Sequence, residues 1–388
     1  MTNALVMDDL ARNIKAEAKR LGFSLVGITG LTPPAHFDVY RKWIEQGFHA
    51  DMQYLSADYA LRLRKDPLEY FPGGKTVICV GYSYPDPIKD YNSALADEGR
   101  IAAYATIPDY HQTIPALLKK LVGWIKQNTS LEFRWKIATD TSPILEKELA
   151  RQAGLGWIGK NSCLINKDIG SYFLLGELFL TLELPTDDHI EKDYCGTCNR
   201  CLEACPTKCI QPDRTINSAK CISYHTIENK GIIPPEIRAH MDHWIFGCDS
   251  CQIVCPWNQK LANHTINPNA QIVANSLPLL SALRIDSEQF DAEFSLSPVK
   301  RATHAGFLRN VLAVLENSDS LINDIVLDSL LSHPEIQVRQ FAISALWKSG
   351  SPGVRLKLQK LLENETAPIV SDMISQLLYG SQDGKPAF

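Results

Sequence analysis

Cys195-Gly-Thr-Cys198-Asn-Arg-Cys201-Leu-Glu-Ala-Cys205-Pro206 is the stretch that decides the fold of its region. Its spacing repeats the C-x2-C-x2-C-x3-C-P run of bacterial ferredoxins, in which three cysteines hold one [4Fe–4S] cluster and the fourth reaches a second cluster. A tight loop of this kind aims three sulfurs at one face of a cluster, and the proline ends the loop. Zinc is the alternative, but it usually takes separated C-x2-C pairs. The run therefore predicts an iron–sulfur module.

A second run, Cys248-x2-Cys251-x3-Cys255-Pro256, lacks a leading cysteine, and Cys221 is the nearest residue that could supply it. The crossing rule of two-cluster ferredoxins then divides eight cysteines between two clusters. The first cluster takes Cys195, Cys198, Cys201 and Cys255, and the second takes Cys205, Cys221, Cys248 and Cys251. Cys209 follows Cys205 closely and could compete as a ligand, although the other eight already complete two clusters.

Composition limits the class of protein. The chain has 388 residues, of which 45% are hydrophobic, so it can bury a sizeable core in two or three domains. Its net charge of −5 does not indicate a nucleic-acid partner, although a local basic patch can lie on an acidic protein. Met1 to Arg20 lacks the apolar run of a signal peptide, and no apolar run is long enough to span a bilayer. Eleven cysteines without an export signal predict a cytoplasmic metal-binding protein with no membrane partner.

The chain divides into three parts by pattern. Helices and strands alternate over residues 1–185, which indicates an α/β or α+β domain. Residues 186–265 gain cysteine, proline and charge, and we expect a compact ferredoxin-like module held by metal. Residues 266–388 form a linker and successive helices. The predicted fold class is α+β, with an N-terminal α/β domain, a two-cluster module and HEAT-like helical repeats.

The HEAT-like interpretation rests on one helix pattern of the tail, formed by Val338, Arg339, Ala342, Ala345 and Leu346. Paired helices of this kind stack into a solenoid. The alternative is a plain helical cap without a binding role.

A glycine-rich stretch, Gly154-Leu-Gly156-Trp-Ile-Gly159, fits the G-x-G-x-x-G pattern of dinucleotide-binding proteins. That fingerprint needs a strand before it and a helix after it, whereas here a predicted helix precedes it and predicted strands follow, so we reject a dinucleotide site. Either the glycines let the backbone approach a large planar or anionic group, with Lys160 and Asn161 as partners, or they end a helix and form a turn.

Asp140, in Ala-Thr-Asp140-Thr-Ser-Pro143, lies between a predicted strand and a predicted helix. It can cap that helix, or it can act in catalysis, because catalytic groups collect at strand ends. From the residues alone the cap is the preferred interpretation. Two clusters transfer electrons but make and break no bonds in a substrate, so the N-terminal domain must hold a further cofactor or a substrate.

Together, the Asp140-Thr-Ser-Pro segment, the stretch from Gly154 to Asn161, both cysteine runs and the helical tail resemble the epoxyqueuosine reductase family over nearly the whole chain. The resemblance implies a cobalamin in the N-terminal domain and reduction of the epoxide of epoxyqueuosine at the wobble position of tRNA. It also implies that Asp140 is the proton donor. The alternatives are a corrinoid reductive dehalogenase and a ferredoxin-type electron carrier without turnover.

The resemblance also implies cobalamin contacts. Arg64 matches a family arginine near the cofactor, and much of the remaining contact is expected from the backbone of residues 160–166. The expected cofactor-binding residues are Arg64, Asp140, Lys160, Asn161, Leu164, Asn166, Ile222, Ser223, Asp249 and Ser250. The Asp-x-His-x-x-Gly motif of enzymes with a histidine lower ligand is missing, because Asp109-Tyr-His111 has Ile114 where glycine is required.

The expected partners are the tRNA anticodon loop and an unidentified electron donor, and we expect a monomer. A wobble base lies in a single-stranded loop, where it can be splayed into a pocket. The helical tail and basic residues near the cluster module are candidates for phosphate contacts: Lys192, Arg200, Lys208 and Arg214. Acidic neighbours make a solvated mixed-charge surface the preferred interpretation for any one of them.

Overall fold

The computed structural model describes residues 3–84, 97–187, 192–259, 274–317 and 324–380. Its strands are β1 (Leu25–Gly30), β2 (Thr76–Ser83), β3 (Glu98–Ile101), β4 (Trp135–Ala138), β5 (Trp157–Ile158), β6 (Leu164–Ile165), β7 (Phe173–Leu180), β8 (Trp244–Phe246) and β9 (Ser276–Pro278).

Helices make up much of the remaining described chain. They are α1 (Asn3–Arg20), α2 (Phe37–Glu45), α3 (Gln53–Ser56), α4 (Asp58–Lys65), α5 (Pro67–Tyr70), α6 (Tyr110–Asn128), α7 (Glu146–Gln152), α8 (Arg200–Ala204), α9 (Ile222–Ile227), α10 (Pro235–Arg238), α11 (Ser250–Ile253), α12 (Pro256–Gln259), α13 (Leu279–Ala282), α14 (Ser287–Glu293), α15 (Thr303–Leu315), α16 (Asp324–Leu330), α17 (Ile336–Ser349), α18 (Val354–Asn364) and α19 (Pro368–Tyr379). Single 3-10 turns span Ala103–Thr106, Ser218–Lys220 and Pro298–Ala302.

The chain forms two compact units, each built from several segments. Unit 1 contains Met1–Ile88, Thr106–Ala219 and Asp249–Val273, and unit 2 contains Lys89–Ala105, Lys220–Cys248 and Ala274–Phe388. The three-part division by sequence stays a prediction, and its boundary at residues 265 and 266 lies outside the described residues. Each unit is described separately below.

Unit 1 is built on a four-stranded sheet in the order β1-β2-β7-β4, and every pairing in it is antiparallel. Helices α1 and α6 pack on one face and α7 packs on the other. β2 is buried along nearly its whole length because both faces are covered. The α+β class is confirmed as a mixture of helix and sheet, but the narrower α/β description of residues 1–185 is wrong, since α/β folds have parallel strands.

Unit 2 combines a small sheet with the helical tail. β3 pairs with β8 in parallel and with β9 in antiparallel orientation. α15 packs against β8 and α9, and α17 packs against both α15 and α19. The guanidinium of Arg309 on α15 is buried and donates to the carbonyl oxygens of His225, Asn229 and Gly231 at 2.6–2.8 Å. The tail therefore holds the segment that follows Cys221.

Among the described residues, no helix combines the length and the apolar character that crossing a bilayer requires. For the tail, the sequence predicts helices at 307–316, 320–332, 335–348 and 354–363. They correspond in order to α15, α16, α17 and α18. It did not predict α19, which packs its buried residues Val370, Met373 and Ile374 into the end of the tail.

Candidate active site and cluster cavity

Four of the predicted cluster ligands surround one cavity in unit 1. Its volume is about 200 Å³. The cysteines that line it are Cys195, Cys198, Cys201 and Cys255. Helices α8 and α11 pack together, and this contact carries the two cysteine runs to the same place. In the described part of the chain, no three His, Cys, Asp or Glu side chains lie close enough to hold a single metal ion.

Aromatic side chains form one wall of this cavity. Trp157 on β5 is 2% exposed, and its ring contacts Tyr194 and Trp257 edge-on, with centroids 5.1 and 5.2 Å apart. The indole Nε1–H of Trp157 donates to Sγ of Cys195 at 3.5 Å. Burial raises the pKa of the Cys201 thiol to about 11. A thiolate in this environment therefore needs a compensating positive charge, such as the iron of a cluster.

The second predicted ligand set is divided between the units. Cys205 and Cys251 belong to unit 1, whereas Cys221 and Cys248 belong to unit 2. Its ligation stays a prediction. Cys209 is buried, its Sγ lies 3.4 Å from Sγ of Cys205, and its backbone N–H also donates to that sulfur. The hydrogen bond from the Cys209 side chain lowers the pKa of Cys205 to about 5. Cys209 is thus placed as a close competitor for the ligand role.

Asp140 takes part in a hydrogen-bonded chain of three side chains in unit 1. Asp109 caps α6 by accepting from the backbone N–H of His111 at 2.9 Å, and it also bonds Nδ1 of that ring at 2.8 Å. The other ring nitrogen, Nε2, lies 3.0 Å from Oδ2 of Asp140. The hydrogen bonds of the two carboxylates, with that of Asp109 the larger effect, raise the pKa of His111 to about 9. His111 is therefore an imidazolium at neutral pH.

Asp140 does not cap the following helix. The N-cap position of α7 is Leu145, and no side chain caps it. Asp140 instead has a φ of 53°, in the left-handed region that residues other than glycine seldom adopt. Its backbone N–H donates to Oε1 of Glu146, and its side chain is 46% exposed. The cap interpretation is wrong because the chain turns sharply at Asp140 before α7 begins.

The glycines of residues 154–159 end a helix and pack a strand pair. Gly154, with a φ of 77°, terminates α7. A Cβ at Gly156 would lie 2.1 Å from the carbonyl oxygen of Ile165, and one at Gly159 would lie 2.4 Å from the Ile165 side chain. The helix precedes the glycines and strands follow, as the sequence predicted. The structure supports the helix-end alternative for Gly154, a close backbone approach at Gly156 and close packing against a side chain at Gly159.

The residues of this loop that are expected to contact a cofactor differ in whether their side chains already have partners within the protein. Asn161 is 2% exposed, lines the cavity and has an amide nitrogen with no hydrogen-bond partner in the described structure. Lys160 also lines the cavity and donates to Asn199 at 2.9 Å. Leu164 lies in the apolar core. The Asn166 side chain holds its own turn, donating to the Leu155 carbonyl and accepting two backbone N–H groups.

The remaining predicted contacts lie on separate elements. Arg64 on α4 is 7% exposed, and its guanidinium lies over the ring of Tyr40, 5.3 Å from the centroid. Asp249 and Ser250 begin α11 in unit 1. Ile222 and Ser223 begin α9 in unit 2. Roles for these residues toward a cofactor stay predictions.

Among the candidate phosphate contacts, Arg214 is engaged within unit 1. It forms an ion pair with Asp193, and its Nη1 donates to the Ile158 carbonyl at 2.6 Å. Lys208 donates to the Glu203 carbonyl, and Arg200 to Gln259. The bonds of Arg214 to Asp193 and Ile158 therefore stabilise the chain beside the cavity.

Sequence reasoning missed His111 and Glu146 as members of the site. His111 was considered only as part of a failed cobalamin motif. The available signal was Asp109 two residues before it, since an N-cap aspartate at that spacing can bind both the backbone and the ring of a histidine. Nothing in the local sequence shows that β4 brings Asp140 to the start of α6.

Comparison with known proteins agrees with this geometry. A family model described as a 4Fe-4S double cluster binding domain matches residues 194–258. A second model, described as Epoxyqueuosine reductase QueG, DUF1730, matches residues 64–141, the segment that contains the chain of Asp109, His111 and Asp140. The protein is an iron–sulfur oxidoreductase.

Individual relatives specify the family. The chain is 38% identical over 314 residues to the epoxyqueuosine reductase of Aliivibrio fischeri, which covers 80% of this chain and 83% of the relative. It is 36% identical over 350 residues to that of Pseudomonas aeruginosa, which covers 88% and 95%. The chain belongs to the epoxyqueuosine reductase family, which confirms the resemblance noted from the sequence.

A solved structure shows the same architecture. An epoxyqueuosine reductase crystallised with a tRNA-Tyr epoxyqueuosine-modified stem loop matches this chain with a TM-score of 0.88 and 25% identity, and the match covers 95% of this chain and 98% of the other.

Proposed function

We propose that this protein reduces the epoxide of epoxyqueuosine at the wobble position of tRNA, giving queuosine and water. The observation that carries the proposal is the chain from Asp109 through His111 to Asp140 in a member of this family. The reaction consumes two electrons and two protons. An iron–sulfur module supplies the electrons, and the chain of Asp109, His111 and Asp140 is suited to supply the protons.

Asp140 is the proton donor in this proposal. The departing epoxide oxygen needs a proton, and an exposed carboxyl group can deliver one to a bound substrate. His111 holds a proton on Nε2, hydrogen-bonded to Oδ2 of Asp140. Transfer of that proton converts Asp140 to the carboxylic acid, which then protonates the oxygen. Asp109 keeps the ring oriented throughout, and His111 is exposed enough to regain a proton from water.

Two [4Fe–4S] clusters and a cobalamin complete the proposal. The first cluster fits, because four cysteines line one cavity. The second would take Cys205, Cys221, Cys248 and Cys251, with Cys209 as the competing ligand. Cobalamin also fits what is present, since the buried amide nitrogen of Asn161 lacks a protein partner in the described residues. When bound, cobalamin supplies a cobalt centre that collects single electrons and acts on the carbon of the epoxide.

Lys160, Asn161 and the backbone of residues 160–166 would hold the cofactor on one side. Arg64 is buried, and no carboxylate forms an ion pair with it among the residues that the structure describes; it would face an anionic group. The contacts from Asp249 and Ser250 in unit 1, and from Ile222 and Ser223 in unit 2, follow from the same resemblance.

The tRNA anticodon loop is the proposed macromolecular partner. The relative with the TM-score of 0.88 was solved with a modified tRNA stem loop, which supports this choice. We infer that the helices from α15 to α19 act as HEAT-like repeats in tRNA binding and that the protein works as a cytoplasmic monomer. The proposal also requires a separate electron donor, which is unidentified.

A direct assay tests the proposal. The protein would be prepared anaerobically with iron, sulfide and cobalamin, reduced chemically, and mixed with tRNA carrying epoxyqueuosine. We expect queuosine in the digested tRNA by mass spectrometry, and none when cobalamin is left out. Iron and cobalt bound in full without any queuosine would contradict the proposal. Turnover of a halogenated phenol in its place would indicate a dehalogenase, and bound iron without cobalt would indicate an electron carrier.

A further inference from the structure

A pair of glutamates lies directly behind the Asp140 turn and has no part in the mechanism above. Glu146 is the first residue of α7, and Glu177 lies on β7, where it is opposite Ala138 of β4 and Cys79 of β2. Glu177 is completely buried, and neither of its carboxylate oxygens has a hydrogen-bond donor in the described structure. Its side chain interacts with that of Glu146, which is half-buried, and two neighbouring carboxyl groups with so little access to water are costly unless they share a proton.

The Asp140 turn itself needs support. Its φ of 53° is unfavourable for a residue with a side chain. The backbone bonds within residues 139–144 are two short i to i+2 contacts, from Thr141 to Thr139 and from Ile144 to Ser142. Outside those, the Tyr70 hydroxyl donates to Ser142 at 3.2 Å, and Glu146 accepts from the Asp140 backbone N–H. Among these bonds, the one to Glu146 is made by the backbone of Asp140 itself.

We propose that Glu146 is a positioning residue of the reaction: its carboxylate fixes the backbone of Asp140 in the left-handed turn that directs the Asp140 side chain onto His111, and a protonated Glu177 donates to the same carboxylate from behind. The inference rests on the proposed function only in taking Asp140 as the proton donor. Glu146 touches neither substrate nor cofactor in this account and acts through Asp140.

The assignment of the proton follows from the surroundings. Burial raises the pKa of Glu177 well above its usual range, and the charge of Glu146 raises it further. Glu177 is therefore the neutral acid and supplies the O–H donor, whereas Glu146 is half-buried and accepts both this donor and the Asp140 N–H. As two ionised carboxylates they would offer each other no donor and would repel.

Protonation of Glu146 should weaken the contact to Asp140, since a charged acceptor binds an N–H group more strongly than a neutral one. Burial, followed by the charge of Asp140, raises the pKa of Glu146. The groups that face it are Glu177 on β7, Asp140 in the turn, Lys147 on its own helix, Tyr70 on α5 and Cys79 on β2. The charge of Asp140 favours the shift, whereas the hydrogen bonds from the Asp140 N–H and the Glu177 side chain and the charge of Lys147 oppose it.

Hydrogen exchange of the Asp140 peptide tests the proposal without any need for turnover. The comparison uses the cluster-loaded wild type, Glu146→Ala and Glu146→Gln, with Glu132→Ala as a matched control on an exposed glutamate. We expect exchange in residues 139–145 to accelerate by a factor on the order of 10 or more in Glu146→Ala, and to return most of the way to the wild-type rate in Glu146→Gln, whose amide oxygen still accepts. Exchange in β7 reports whether the fold is intact.

Two further readouts separate positioning from general stability. The kcat for epoxide reduction should fall in Glu146→Ala with KM for tRNA unchanged, because the substrate site is intact. Wild-type protection of residues 139–145, corrected for intrinsic exchange, should decrease as the pH is lowered and should be independent of pH in Glu146→Gln. Equal exchange of residues 139–145 in Glu146→Ala and the wild type, with β7 protected in both, would overturn the proposal. If the wild type made no queuosine, the proposed function would fail while the exchange result would still decide the role of Glu146.

Discussion

Oδ2 of Asp140 lies 3.0 Å from Nε2 of His111, and the opposite nitrogen of that ring is held by Asp109 at 2.8 Å. The contact joins the turn after β4 to the start of α6, two elements that meet because α6 packs on β4 and β7 of the sheet in unit 1. Through this contact, the Asp140 carboxylate becomes the exposed end of a hydrogen-bonded chain that can conduct protons. The proposed mechanism depends on this arrangement.

The first prediction concerns His111 and pH. Its folded pKa of about 9 lies above the ordinary 6.5, so its ionic contacts stabilise the fold fully below pH 6.5 and are lost as the pH rises through 9. Turnover should decrease over the same upper range. In His111→Gln, which keeps a donor but stores no proton, we expect kcat to fall toward the lower end of ~10²–10⁴, with that basic limb absent from the pH–rate profile. An unchanged basic limb in the variant would remove His111 from the proton path.

The second prediction concerns the ligands of the second cluster. Wild type should bind about eight iron atoms per chain when prepared anaerobically, from two cubanes. Cys221→Ala should lose about half of that iron, and Cys209→Ala should keep all of it. Iron analysis and electron paramagnetic resonance of the reduced proteins provide the measurement. The reverse result would assign the ligand role to Cys209, whose sulfur already lies 3.4 Å from Cys205.

The third prediction concerns Trp157. With a cluster bound to Cys195, the N–H···S bond from Trp157 would stabilise its electron-rich reduced state. In Trp157→Phe we expect the midpoint potential of that cluster to fall by about 20–60 mV, the equivalent of one neutral hydrogen bond for a one-electron couple. A redox titration followed by paramagnetic resonance measures it, and the second cluster serves as the internal reference. A potential that did not move would show that the indole contributes packing alone.

The fourth prediction concerns Glu177 and stability. Its pKa is raised in the folded state, so the native protein binds its proton more tightly than the unfolded chain does, and stability falls as the pH rises above the unfolded value of 4.5. The loss amounts to as much as about 1.4 kcal/mol per pH unit until the folded pKa is reached. Glu177→Gln lacks this proton and should therefore gain stability relative to wild type as pH increases. Thermal melting curves of both proteins at several pH values provide the measurement. A difference in stability between Glu177→Gln and wild type that did not change with pH would contradict the prediction.

Local sequence was sufficient for the cluster region and insufficient for the rest of the site. The spacing of Cys195, Cys198 and Cys201 is a property of one loop, so it could be read from the sequence. These three residues and Cys255, which the crossing rule groups with them, line one cavity, and their ligation of a cluster stays a prediction. The left-handed turn at Asp140 could not be read from the sequence, because no local pattern shows that its backbone N–H bonds the side chain of Glu146. The preference for a helix cap failed for that reason.

The relative orientation of the strands and the small sheet of unit 2 could not be predicted from the sequence for a similar reason. Alternating helices and strands are compatible with parallel and antiparallel sheets, and only the pairing of β2 with β7 decides between them. β3, β8 and β9 are three or four residues long and lie far apart in the chain, so no local periodicity could join them to the helical tail. The tail helices α15 to α18 were predicted from their periodic patterns, whereas α19 was not.

The most direct test of the account is epoxide reduction by Asp140→Asn, using chemically reduced, cluster- and cobalamin-loaded protein, so that electron supply does not limit the rate. Asparagine tolerates the left-handed turn better than most residues and can still accept from His111, so the fold, the iron content, cobalamin and tRNA binding should be retained. It cannot deliver a proton as a carboxylic acid, and we expect queuosine formation to slow by a factor on the order of 10²–10⁴. Formation of queuosine at a rate close to that of the wild type would contradict the account.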